Sequence, residues 1–114
     1  MAGIIEKSEW ARNASSWQGD IELGRYGAGL SLIFNLQENE GGGPRLHMHP
    51  YPETFVLRSG RARFTVADET FVAGAGQILV VPANTPHKFS AIGGEPFESI
   101  NIHPRDQFET TWLE

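Results

Sequence analysis

The chain has 114 residues, a formal charge of −5 and no cysteine, which suits one compact domain and excludes disulfides and thiolate metal ligands. The acidic balance, without any basic run, argues against binding a polyanion such as nucleic acid. No apolar stretch approaches membrane-spanning length, and the amino terminus lacks a basic segment followed by a long apolar run, so a soluble cytoplasmic protein is the expectation.

Residues 1–19 carry Trp10 and Trp17 and are expected to pack on the outside or one mouth of whatever follows. Beyond them, glycines and prolines punctuate short runs of Val, Ile, Phe, Leu and Thr, the pattern of many strands joined by tight turns. Strands are predicted near Asp20–Tyr26, Leu30–Leu36, Arg45–His49, Thr54–Arg58 and Ala62–Val66, then Thr70–Val72, Gln77–Val81, His87–Ala91 and Phe97–His103. Ser59-Gly60 and Asp68-Glu69 read as hairpin turns. Glu38–Pro44 reads as a loop, its three consecutive glycines too flexible for a strand. In the tail, 104–114, Asp106 with Glu109 could open a helix. Phe108, Thr110 and Trp112 also alternate, which favours an edge strand, one that could pack on a neighbouring subunit. Strands this closely spaced predict an all-β fold, an antiparallel sandwich or barrel.

Three imidazoles and a carboxylate carry the chemistry. Side chains alternate along a strand, so His47 and His49 point the same way, and Arg45 with them. Pro50-Tyr51-Pro52 turns the chain, after which Glu53 can face back toward both. Phe55 and Leu57 share its parity. His87 starts a later strand, behind Pro82-Ala83-Asn84-Thr85-Pro86. In a closed barrel that strand can lie beside the first pair. Neutral imidazole and carboxylate suit one divalent transition ion: iron, manganese, nickel, copper or zinc. Four protein donors on an octahedral ion leave two positions for water, a bidentate substrate, or substrate with dioxygen.

These residues resemble the cupin superfamily. Its first motif, G-x5-H-x-H-x3/4-E-x6-G, is met by Gly41, His47, His49, Glu53 and Gly60, over residues 41–60. Its second, G-x5-P-x-G-x2-H-x3-N, is met by Gly76, Pro82 and His87, over residues 76–91. Asn84 replaces the motif's glycine, and Asn tolerates a left-handed backbone better than most residues. Ala91 replaces its asparagine, a position that is not a ligand. The resemblance implies a single cupin domain over residues 1–114, a jelly-roll barrel, with His47, His49, Glu53 and His87 as metal ligands. It also implies a homodimer, since many small cupins pair or exchange terminal strands. It selects no reaction: similar cupins include dioxygenases, isomerases, decarboxylases and lyases, and also sugar-binding or regulatory modules.

Beyond the ligands, Arg45 is expected to face inward, where its planar fork could clamp a substrate carboxylate. Tyr51 could gate the pocket or donate a hydrogen bond, or simply pack over its turn. Arg45 and Tyr51 are thus the catalytic candidates. Arg45, Phe55, Leu57 and Phe89 are the candidate substrate-binding residues, with Ile33 a further wall position; plain barrel core is the simpler reading of Phe55, Leu57, Phe89 and Ile33. Tyr26 and Trp17 could close the pocket. His103, just before Pro104, reads as an exposed strand end, with a role as a base beside the metal as the alternative. No Ser-His-Asp set is recognisable. The expected function is a small metalloenzyme, dioxygenase-like or isomerase-like, acting on a small organic acid or carbonyl compound. The alternative is a non-catalytic module that binds or senses a small ligand such as a sugar.

Overall fold

The computed structural model describes residues 3–114; the first two positions of the predicted amino-terminal segment, Met1 and Ala2, lie outside the described residues. Among the described residues, ten strands form two five-stranded antiparallel sheets. In chain order they are β1 (Gly19–Glu22), β2 (Ser31–Gln37), β3 (His47–Met48), β4 (Glu53–Ser59), β5 (Arg61–Val66), β6 (Glu69–Gly74), β7 (Ile78–Val81), β8 (His87–Ile92), β9 (Phe97–His103) and β10 (Thr111–Trp112). One sheet runs β1-β2-β9-β4-β7 and the other β10-β3-β8-β5-β6. Chain neighbours such as β3 and β4 lie in opposite sheets, as the jelly-roll arrangement requires.

Alternation builds the interior. β4, β8 and β9 bury every second side chain along their inner faces: Glu53, Phe55 and Leu57; His87, Phe89 and Ala91; Phe97, Ser99, Asn101 and His103. Phe64 of β5, fully buried, meets Phe55, Phe89 and Phe97 with ring centroids 5.3–6.1 Å apart. Such tilted and edge-on contacts place ring edges on ring faces and stabilise the core beyond plain burial. The β4–β5 turn needs Gly60: its φ is +67°, and a Cβ there would stand 2.3 Å from the Pro96 carbonyl oxygen.

Three sequence expectations change. The first strand ends at Glu22, and Gly24–Tyr26 is a 3-10 turn closed by Gly27 at φ +76°. The strand predicted over Arg45–His49 is only His47–Met48. The tail forms the expected edge strand, β10 pairing with β3 and Trp112 standing opposite His47. Trp17 and Tyr26 do not cover the pocket. Trp10 stacks on Phe34 at 3.8 Å with Trp17 edge-on beside it, and Tyr26 donates to Glu9 Oε1 at 3.0 Å.

Candidate metal centre

His47, His49, Glu53 and His87 are all buried, and one donor atom from each lies within 4.8 Å of all the others. Antiparallel pairing sets His47 of β3 directly across from His87 of β8. Glu53 arrives from the opposite sheet as the first residue of β4. The turn before His87 holds the two stretches together: Asn84 takes the left-handed backbone at φ +58°, and its N–H donates to the His49 carbonyl at 2.7 Å. Asparagine thus supplies the conformation for which the motif uses glycine.

The imidazoles are oriented by the backbone. Nδ1 of His47 meets the Arg45 carbonyl at 2.7 Å, that of His49 the Glu109 carbonyl at 2.9 Å, and that of His87 the Thr85 carbonyl at 2.8 Å. A carbonyl only accepts, so each Nδ1 carries the ring proton and each Nε2 is left a bare acceptor. Two of these bare nitrogens, on His49 and His87, stand 3.1 Å from the same atom, Glu53 Oε1. His49 Nε2 is fully buried with no aligned hydrogen-bond partner. Acceptors face acceptors across a small buried gap, an arrangement that a cation or an added proton between them would stabilise. The donor set therefore fits a divalent transition ion.

The charges follow from the same geometry. Burial pushes the His47 pKa down to about 4, against the pull of the Arg45 carbonyl. Burial also depresses His49, but the adjacent Glu53 carboxylate and the Glu109 carbonyl outweigh it and raise its pKa above the usual value. Burial works to raise Glu53, yet contacts from His103, His49 and His87 hold its carboxyl well below the ordinary range. A proton and a metal ion thus compete for one gap beside Glu53.

The centre opens into a pocket of about 420 Å³. Phe55, Phe89, Phe108 and Trp112 give it apolar walls, and Asn35, Gln37 and Asn101 line another side. The amides are ordered end to end: Gln37 donates to Asn35 at 2.9 Å, Asn35 to Ser99 at 3.0 Å, and Ser99 to Asn101 at 2.7 Å. This leaves the Asn101 amide N–H groups free for a bound molecule. A larger, shallower cleft of about 1100 Å³ lies between β1 and the tail, but no imidazole lines it.

Several sequence-predicted residues lie elsewhere. Arg45 is exposed, with its guanidinium 4.9 Å from the Trp112 ring, because it precedes the two-residue strand and alternation does not reach it. Leu57 is sealed in the apolar core, two positions deeper along β4 than Phe55. Tyr51 is buried behind the ligands, stacked on His49 at 5.2 Å with burial raising its pKa. His103 is not an exposed strand end. It is 1% exposed, with Nε2 3.1 Å from Glu53 Oε2 and Nδ1 2.6 Å from Tyr51 Oη. The missed wall residues Phe108, Thr110 and Trp112 come from the tail, at the alternating positions read there.

Two antiparallel sheets with three inward imidazoles and a carboxylate at one end define a cupin barrel whose cluster could hold a metal ion. The cupin-domain family matches residues 32–103, more than half of the chain, and the protein belongs to that family. No curated protein sequence matches. Among solved structures, the chain is similar to Bacillus subtilis oxalate decarboxylase. A structure from work on the Mn(II) centers of that enzyme has a TM-score of 0.75 and 26% identity over 83% of this chain. A structure from work on its substrate binding mode and reaction-specificity switch has a TM-score of 0.74 at 26% identity, again over 83% of this chain. The same enzyme at pH 4.6 gives a TM-score of 0.72 at 23% identity over the same 83%, a likeness of fold alone. This chain spans 27% of the length of each of those chains.

Proposed function

We propose that His47, His49, Glu53 and His87 bind one divalent transition metal ion, and that the protein is a small metalloenzyme acting on a small organic acid or carbonyl compound. The observation that carries this reading is the meeting of bare imidazole nitrogens and one carboxylate oxygen at the wall of an open pocket. The manganese centres of the structural neighbour favour manganese as the first ion to test. A divalent ion there would supply Lewis-acid polarisation of a carbonyl or carboxylate oxygen.

The chain's own residues bind and orient. Phe55 and Phe89 exclude water from one side, and Asn101 offers its free N–H to a ligand oxygen. The wall amides do not titrate, so they hold a substrate without exchanging protons with it. This favours dioxygenase-like chemistry, in which side-chain acids and bases have little to do, over isomerase-like chemistry, which needs a side chain to carry a proton. With Arg45 outside, a substrate carboxylate would be held by the ion and the amides rather than by a guanidinium.

The same amide ladder supports a second reading, tight binding of a polyhydroxylated ligand without turnover. Elemental analysis of protein from its native host, then a screen of acids, carbonyl compounds and sugars with the identified metal, decides between them. A chelator-sensitive activity restored by one metal is the expected result. Binding with the ligand recovered unchanged would favour the second reading, and a host protein free of metal would overturn both metal-based assignments. Location in the cytoplasm and a homodimer remain parts of the proposal. The exposed Ile78 and Val80 on the edge strand β7 give a second copy an apolar strip to cover, which light scattering would test.

A further inference from the structure

All four histidines of the chain gather around one carboxylate, but the fourth is wired differently. His47, His49 and His87 each turn Nδ1 to a backbone carbonyl. His103 turns Nδ1 to a hydroxyl, Tyr51 Oη, at 2.6 Å. A hydroxyl can donate or accept, so this contact alone leaves the His103 proton unassigned.

We propose that His103 holds the opposite tautomer from the other three, with its proton on Nε2, and that Tyr51 and His103 are positioning residues that fix which oxygen of Glu53 faces the cluster.

Two contacts select this arrangement. Tyr51 Oη already receives the Glu109 backbone N–H, at 3.3 Å. If His103 also donated to it, a buried hydroxyl would take two donors and leave its own proton without an acceptor, which is costly. With Tyr51 donating to Nδ1, every group is used. At the other end of the ring, Nε2 is 3.1 Å from Glu53 Oε2. A bare Nε2 would set a lone pair against a carboxylate oxygen in a dry interior, whereas an N–H there is attractive. The approach is off the line of a straight hydrogen bond. That weakens the attraction and leaves its sign unchanged.

The relay then runs from the Glu109 N–H to the Tyr51 hydroxyl, to His103 Nδ1, and through its Nε2 proton to Glu53 Oε2. Its effect is to separate the two carboxylate oxygens. Oε2 is turned toward a proton donor, and Oε1 toward the His49 and His87 nitrogens. Glu53 is thereby presented through one oxygen. The ring itself cannot drift, since His49, Tyr51 and Phe108 enclose it at centroid distances of 4.7, 5.3 and 5.0 Å. Partners that orient a ligand in this way tune affinity as well as geometry. The role given to Glu53 Oε1 rests on the metal reading above; the tautomer of His103 does not.

The test is nitrogen NMR of the wild-type protein with labelled histidine at neutral pH, before and after adding Zn²⁺. The four rings give four separable patterns. Three are expected to carry the proton on Nδ1 and to shift at Nε2 with zinc. His103 is expected to carry it on Nε2 and to keep it when zinc binds. A proton on His103 Nδ1, whether or not Nε2 is also protonated, overturns the proposal. So does loss of its Nε2 proton on zinc addition, which would make it a fifth donor. If no ring responds to zinc, the metal assignment fails while the tautomer result still stands on its own. Tyr51→Phe should mix the two His103 tautomers and weaken zinc binding about 10-fold. Unchanged zinc affinity in that variant would overturn the positioning role, and the wild-type spectrum decides the tautomer even if the variant does not fold.

Discussion

The two ends of the barrel are made from the same strands, and they could hardly differ more. β4 runs from Glu53 to Leu57, β8 from His87 to Ala91, and β9 from His103 back to Phe97. At one end these strands hold imidazoles, a carboxylate and amides. At the other they hold a cluster of buried apolar residues around Phe64. A cluster of converging acceptors works against its own assembly, because the lone pairs repel until a cation or a proton enters. The apolar end has no such conflict, and we read it as the part that supplies the folding free energy and holds the polar end in register.

The sharpest way to break that division is to damage the apolar end. Phe64→Ala should cost about 3–5 kcal/mol of stability, the usual loss for a buried aromatic ring. Urea unfolding would measure it. Metal binding should fall with stability, although Phe64 touches none of the ligands. Equal stability in the variant would mean that the polar end carries the fold.

Damage to the polar end should do the reverse. His49→Ala removes one donor and relieves acceptor crowding at Glu53 Oε1. Metal affinity should drop by more than about 100-fold, beyond the range seen when only an outer partner is lost. The metal-free barrel should unfold at nearly the same urea concentration as the wild type. Undiminished metal content would count against the ligand set.

The two ends were also unequally legible in the sequence. The clustering of His47, His49, Glu53 and His87 was readable because a short-range rule governs it: two histidines on one strand, a turn, a carboxylate, and a proline-bounded turn before the last histidine. Phe55, Leu57 and Phe89 were readable as interior from alternation in the same way, with barrel core the plainer reading of all three; that Leu57 lines no pocket follows from its depth along β4, which alternation cannot give. Arg45 was misplaced because alternation was carried past the point where the strand begins, and the strand is only two residues long. His103 was misplaced by the proline after it. Yet Phe97, Ser99, Asn101 and His103 share one parity, and a buried Phe97 puts all four inside. The tail's alternation was visible, but not its destination. The pairing of Trp112 with His47 and the contacts of Glu109 with His49 and Tyr51 bring the tail over the pocket, and no local pattern encodes those contacts.

The tail tests whether the polar end is shielded as well as built. Trp112 lines the pocket and carries the Arg45 guanidinium 4.9 Å from its ring. Trp112→Ala should leave the ligands in place and the metal content unchanged. It should speed metal release to a chelator severalfold, because a wall between ion and solvent is gone. Stopped-flow mixing with EDTA would read the rate, and an unaltered rate would assign the tail a purely structural part.

The last comparison separates the ends by pH. The apolar cluster holds no titratable side chain, so its contribution stays flat, whereas the ligands must lose protons before they bind an ion. His49, with its pKa raised, takes a proton first as pH falls, and the ion must then displace it. Apparent affinity should therefore decline by about tenfold per pH unit below the His49 pKa and level off above it. His47 adds a second proton only near pH 4, since burial holds it neutral until then. Glu53 contributes later still, its carboxyl remaining ionised well below the usual range. The sign is the same for all three groups: acid weakens metal binding, and the slope steepens in steps. A zinc titration repeated from pH 8 to pH 5 should show affinity falling toward acid. An affinity flat across that range would mean that no proton occupies the gap beside Glu53, and the conflict between acceptors would then have to be relieved by another cation.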